Sequence, residues 1–128
     1  MTLSEIKNEI MFQTNNDVDD LGDFIPYLLD YINEGYDRLV FAWAHVHLCD
    51  DVDDDYSKLL IDTDVPVTPE WTHRAIADYA TWLVYRNGNS QKQNRGFVFR
   101  NAFEEVLSKI LSEGGANGKV RYFKNIPL

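Results

Sequence analysis

Residues 24–48 contain the pattern that most restricts how this chain can fold. Apolar side chains recur there at intervals of three and four residues, and Asp30, Glu34 and Arg38 lie on the opposite side. The apolar stripe comprises Ile25, Leu28, Leu29, Ile32, Tyr36, Leu39, Val40, Trp43 and His47. This spacing predicts an amphipathic helix of about 37 Å, which needs other helices along its stripe. Gly35 within it costs about 1 kcal/mol relative to alanine and indicates close approach of a neighbouring helix.

A shorter helix is predicted before it. Thr2 followed by Glu5 forms a capping box that opens a helix over residues 3–13. Its apolar side chains, which share one stripe, are Leu3, Ile6 and Ile10. Residues 13–23 are rich in turn formers and are expected to form a loop.

Two helices are predicted after an irregular segment at residues 49–68. Thr68 is the expected N-cap of the first, which runs to about Asn87. Its buried face is expected to contain Trp71, Ala75, Tyr79, Trp82 and Leu83. The second covers about residues 91–112, with Val98, Phe99, Phe103, Val106, Leu107, Ile110 and Leu111 as its apolar residues.

The C-terminal segment differs from these helices in pattern. Gly114, Gly115 and Gly118 are expected to end the last helix. Beyond them, apolar and polar residues alternate in KVRYFKNIPL, which favours a strand or an extended arm. At 128 residues the chain has room for one ordinary domain. We therefore predict an all-α fold, a small helical bundle of about four helices, with a helical domain at 1–114 and an extended C-terminal arm at 115–128.

Charge is distributed unevenly along the sequence. Residues 1–90 contain 18 Asp and Glu against 5 Lys and Arg, whereas residues 91–128 contain 3 against 7. The acidic part disfavours binding of duplex DNA, because that affinity comes largely from cations that neutralise phosphates. An acidic wall would instead let DNA slide past. Two regions of opposite charge are suited to packing against copies of the same chain or a partner protein.

The sequence also indicates where in the cell the protein is expected. No apolar run approaches the roughly 20 residues of a membrane helix, so no membrane partner is expected. The N-terminus lacks the pattern of a signal peptide, which favours an intracellular origin. Cys49 is the only cysteine, and this excludes an internal disulfide and a multi-cysteine zinc site.

Two groups of residues in the sequence are of the types that bind metal ions. In the acidic run Asp50–Asp55, residues 51, 53 and 55 match the start of an EF-hand loop, but Tyr56 replaces the required glycine and Asp62 the bidentate glutamate. A solvated acidic loop is therefore favoured over a Ca²⁺ or Mg²⁺ site. His45, His47 and Cys49 could bind zinc only if they converged, and helical spacing spreads them apart.

No sequence pattern indicates catalysis. The serines lie in no nucleophile motif, and no phosphate-binding or dinucleotide-binding fingerprint occurs. We expect neither enzymatic activity nor a cofactor.

Some aromatic residues fit the apolar stripes poorly and suggest protein interfaces. Tyr31 and Tyr85 are two of them. The strongest partner-binding candidates lie in the C-terminal arm, where basic and aromatic residues alternate: Lys119, Arg121, Tyr122, Phe123 and Lys124.

The order of these segments resembles a known family. The long helix contains DYINEGYDRLVFAW, the next begins after VPVTPEW and contains DYATWLVYRNGN, and QKQNRG opens the last. This arrangement is similar to the head–tail connector (adaptor, or head-completion) proteins of tailed bacteriophages and prophages. The resemblance covers most of residues 1–112 and carries no catalytic residue with it.

The resemblance implies a structural role in the virion. Connector proteins assemble in the bacterial host cytoplasm as a homo-oligomeric ring, typically of about twelve copies, below the portal protein. The ring extends the DNA channel without sequence-specific DNA binding and receives the stopper or tail-completion protein. Residues 115–128 match the segment that reaches the portal or a neighbouring subunit.

Two other functions remain open from the sequence. One is an acidic interaction module that mimics DNA and competes with it for a protein. The other is a metal-dependent enzyme that uses residues 45–55. The first predicts a monomer or dimer, and the second predicts bound metal.

Overall fold

The computed structural model describes residues 1–14, 25–47, 56–86 and 88–125, with side chains described as far as residue 112. These ranges contain four α-helices and no strand. The helices are α1 (Leu3–Gln13), α2 (Ile25–His47), α3 (His73–Arg86) and α4 (Ser90–Asn125), with a 3₁₀ turn at Glu70–Thr72 before α3. The predicted small all-α bundle is therefore confirmed. In the described part of the chain, no helix is both long enough and apolar enough to cross a membrane.

Helix α3 lies at the centre of the bundle. It contacts α1, α2 and α4, and nearly every one of its side chains is buried. The sequence predicted only one buried face for this helix. Small residues allow neighbours to pack around it on several sides, and they include Ala75, Ala77, Ala80 and Thr81.

The close approach predicted at Gly35 is present. A Cβ atom placed on Gly35 would lie 2.9 Å from the Cβ atom of Tyr79 on α3. A similar contact joins α3 and α4, where a Cβ atom on Gly96 would lie 3.0 Å from that of Tyr85. Backbone packing against a side chain thus fixes how α2 and α4 cross α3.

The beginnings of the helices follow the sequence in part. The capping box of α1 is confirmed, because Thr2 N donates to the Glu5 carboxylate and Glu5 N donates to Thr2 Oγ1. The predicted cap at Thr68 is wrong. The chain enters α3 through the 3₁₀ turn, and the Thr68 hydroxyl instead accepts a hydrogen bond from the Thr72 hydroxyl at 2.8 Å.

The predicted end of the fourth helix near residue 112 is also wrong. Helix α4 continues through Gly114, Gly115 and Gly118 to Asn125, so the backbone of residues 115–125 is helical and not extended. Each glycine costs a helix about 1 kcal/mol but does not break it as proline does. The boundary placed after residue 114 falls within this helix.

Several burial predictions also need correction. Ile25, Trp71, Val98 and Leu111 are exposed, although their spacing placed them on buried faces. Tyr85, predicted as an interface residue, is buried and stacks on Phe99 with ring centroids 6.4 Å apart. Periodicity assigns one apolar face to each helix. It misses the burial of Tyr85 because neighbouring helices cover α3 on several sides, and it overestimates the burial of Ile25 because the first turn of α2 is exposed.

Candidate interaction surface

The most exposed run of apolar side chains in the described part of the chain is not helical. It lies in residues 59–67, called here the apolar loop, between α2 and α3. The side chains of Leu60, Ile61, Val65 and Val67 are between 46% and 65% exposed. Apolar side chains gathered on one surface segment are typical of a protein interaction site. Sequence reasoning treated the segment only as irregular, although Leu-Leu-Ile at its start was a usable signal.

The start of the apolar loop is fixed by one amide side chain of α2. Asn33 Oδ1 accepts a hydrogen bond from Leu59 N at 2.8 Å, and Asn33 Nδ2 donates to Leu59 O at 3.0 Å. The same nitrogen donates to Leu29 O at 3.1 Å. Asn33 therefore satisfies both backbone groups of Leu59, whose side chain is buried in the core.

The middle and end of the loop are held as well. Asp64 Oδ2 accepts hydrogen bonds from Leu60 N at 2.8 Å and Ile61 N at 2.9 Å, which closes a tight turn. Further along, Val67 N donates to the phenol oxygen of Tyr36 at 2.9 Å. The loop thus has a defined conformation before any partner binds.

Helix α1 uses the apolar loop to satisfy its first turn. Leu3 N donates to Asp64 O at 2.8 Å, and Ser4 N donates to Asp62 O at 3.1 Å. The first amides of a helix have no acceptor within the helix, so loop carbonyls supply it here. Lys7 Nζ adds an ion pair to the Asp62 carboxylate at 3.1 Å.

The polar part of the apolar loop is acidic. Hydrogen bonds from the backbone N–H groups of Ile61 and Leu60 lower the pKa of Asp64, so this group is a carboxylate at neutral pH. The side chain of Asp62 is 70% exposed. The loop therefore presents apolar side chains beside negative charge.

A second exposed apolar group lies in the first half of α4. Phe97 and Val98 are exposed, and Arg95 and Arg100 flank them. Each arginine lies three residues from one apolar residue, the spacing of neighbours on a helix surface. Arg100 also covers the Trp82 ring at 5.3 Å, which ties this surface to α3. We call these four residues the α4 patch.

Among the described groups, Asp78 on α3 has the largest pKa shift. Burial raises the pKa of Asp78 to about 6, although hydrogen bonding from Gln13 opposes the shift. Gln13 Nε2 donates to Asp78 Oδ1 at 2.7 Å, and the Thr81 hydroxyl donates to Gln13 Oε1. A carboxyl group of this kind can act in acid–base catalysis. Here it is buried and bonded to Gln13, so it joins α1 to α3.

His47 and His73 each make contacts within the fold. His47 Nδ1 lies 3.0 Å from Trp43 O, and its ring stacks on Trp43 at 3.8 Å. His73 is buried, and its Nε2 donates to Thr68 O at 2.6 Å. Over the described ranges, no group of three His, Cys, Asp or Glu side chains could hold a metal ion. Cys49 and the acidic run at 50–55 lie outside those ranges.

The predicted partner-binding residues of the C-terminal segment all fall on the last turns of α4. They are Lys119, Arg121, Tyr122, Phe123 and Lys124, and their side-chain contacts lie outside the described part of the structure. Their role in partner binding stays a prediction.

Comparison with models of protein families, with curated proteins and with solved structures finds no match to this chain. The functional interpretation therefore depends on the surfaces themselves. These are an acidic apolar loop, a basic apolar patch and a long helix that ends in a basic segment.

Proposed function

We propose that this chain is a structural head–tail connector (adaptor) protein of a tailed phage or prophage. It would form an oligomeric ring below the portal and join the portal to the stopper or tail proteins around the DNA channel. The observation that carries the proposal is the apolar loop, an exposed apolar surface held in place by hydrogen bonds from α1 and α2.

The energetics of the apolar loop favour an assembly role. Complete burial of a fully exposed aliphatic side chain contributes about 1.5–3 kcal/mol. The loop has four aliphatic side chains that are about half exposed, so each could add about half of that value on docking. Ordering a flexible segment at an interface opposes binding, but the anchors at Asn33, Asp64 and Tyr36 order this loop in advance. A surface of this kind is suited to protein association.

The charge distribution along the chain supports a position of the ring around a DNA channel. The excess of acidic residues before residue 91 would repel phosphates and let DNA pass without adhering. The basic residues of the last turns of α4 would instead contact the portal. Their positive charge also complements the negative end of the helix dipole.

The test uses the full chain and the portal protein encoded in the same genome. We expect the two to co-purify, and light scattering and electron microscopy should show a ring of chains on the portal. A chain that neither self-associates nor binds the portal would contradict the proposal. If that chain also displaced DNA from a DNA-binding protein, it would be an acidic DNA mimic.

A further inference from the structure

We infer that the apolar loop of one subunit docks onto the α4 patch of a second copy of this chain. The inference rests on the proposed function and specifies the contact between subunits in the ring. It follows from two exposed apolar surfaces that are opposite in charge and lie on different elements of the fold.

The two surfaces are chemically complementary. The apolar loop presents Leu60 and Ile61 beside Asp62, and the α4 patch presents Phe97 and Val98 beside two arginines. Contact would bury aliphatic side chains against an aromatic ring and an aliphatic side chain. The Asp62 carboxylate, which already contacts Lys7 of its own subunit and is 70% exposed, would then also face a guanidinium group.

Both surfaces are ordered before they meet. The loop is fixed through Asn33, Asp64 and Tyr36, and the patch is part of a continuous α-helix. Little backbone ordering would accompany docking, so this contribution to the cost of association is small.

Charge also favours a head-to-tail contact over a two-fold one. A symmetric contact between two loops would bring Asp62 and Asp64 against their own copies, with Lys7 in each subunit to offset part of their charge. A symmetric contact between two patches would oppose Arg95 and Arg100 to their own copies. Like charges at an interface disfavour both arrangements. Pairing unlike surfaces leaves a free patch on one subunit of the pair and a free loop on the other. Repetition of that contact closes a ring when the rotation between subunits permits it.

Two double variants test the contact, one on each surface. Leu60→Ser with Ile61→Ser removes apolar area from the loop, and Phe97→Gln with Val98→Gln removes it from the patch. Each should weaken self-association at least roughly 100-fold in light scattering or sedimentation, alone or on the portal. Phe41→Gln on α2 is the matched control, because Phe41 is 73% exposed and belongs to neither surface. Circular dichroism checks that every variant folds.

Mixing the two double variants gives a sharper result. The loop variant keeps an intact patch, and the patch variant keeps an intact loop, so one heterologous contact can still form between them. We expect the mixture to stop at a heterodimer, whereas each variant alone stays monomeric. A control variant that assembles like the wild type completes the expected pattern.

Other outcomes separate this contact from the proposed function. If the wild type assembles and both double variants assemble equally well, the contact lies elsewhere and the inference is overturned while the connector role stands. If the patch variant alone still self-associates through its loop, the contact is two-fold and the inference again fails. If the wild type neither assembles nor binds the portal, the proposed function fails with it.

Discussion

At the scale of single residues, one side chain of α2 organises a loop more than twenty residues away in sequence. Asn33 forms two hydrogen bonds with the backbone of Leu59, in the manner of a neighbouring strand. A buried polar group without partners destabilises a fold, so Asn33 and Leu59 depend on each other. This asparagine sits on the buried side of an amphipathic helix because it has a backbone partner there.

Asp78 gives a prediction about pH. Its pKa is raised to about 6 by burial, so the folded state binds a proton more tightly than the unfolded chain does. Stability from this group is therefore greatest at low pH and is lost as the pH rises through about 6. Asp78→Asn removes the buried charge and still accepts the hydrogen bond from Gln13. Between pH 4 and pH 7, we expect the variant to gain about 2 kcal/mol in unfolding free energy relative to the wild type.

Urea denaturation at several pH values measures this difference. The buried His73 also contributes to the pH dependence, but it is present in both proteins and cancels in the comparison. Asp30→Asn, at an exposed position on α2, is the matched control and should show no such trend. A difference between Asp78→Asn and the wild type that does not change with pH would contradict the assignment.

The sequence could not have identified either residue. In the sequence, Asn33 and Asp78 are polar residues within amphipathic patterns. The role of Asn33 depends on Leu59 and that of Asp78 on Gln13, and both partners are distant in sequence. The capping box at Thr2 was predictable because both partners lie within one helical turn.

At the scale of elements, the crossing of α2 and α3 gives a second prediction. Gly35→Ala would place a Cβ atom 2.9 Å from Tyr79, whose hydroxyl is bonded to Glu34 at 2.7 Å and whose ring lies 4.8 Å from that of Phe103. The ring cannot move easily, so the helices must separate. We expect a loss of about 1–2 kcal/mol despite the better helix propensity of alanine.

Asp30→Ala provides the matched control for this variant. It introduces the same residue on an exposed position of the same helix and should change stability by no more than about 0.5 kcal/mol. Thermal unfolding followed by circular dichroism compares the two. Equal stability of Gly35→Ala and the wild type would mean that α2 and α3 do not touch at this point.

Helices α2 and α4 show what periodicity can and cannot predict about elements. It located α2 from Ile25 to His47, since a sustained apolar stripe and a nearby proline define such a helix. It failed at the end of α4, where three glycines suggested termination. Whether a glycine ends a helix depends on the residues around it and on tertiary contacts, and single-sequence rules weigh only the glycine.

At the scale of the whole molecule, charge divides the chain into an acidic part before residue 91 and a basic part after it. Most acidic residues precede residue 91 in the sequence, whereas α4 carries seven of the twelve Lys and Arg residues. Two regions of opposite charge give a subunit two different surfaces, and a head-to-tail ring requires such a pair of surfaces.

The basic end of α4 yields the last prediction. If it contacts the portal, reversal of a single charge by Lys119→Glu, Arg121→Glu or Lys124→Glu should weaken portal binding about 2- to 5-fold, the range of exposed ion pairs. Wild-type binding should also weaken as salt rises from about 0.05 M to about 0.5 M, because screening shortens the reach of exposed charges. Each reversal should make that salt dependence shallower. Lys58→Glu changes the net charge equally but lies in the loop region before α3. If Lys58→Glu weakens binding as much as the α4 variants, net charge alone controls association and the basic end of α4 has no specific role.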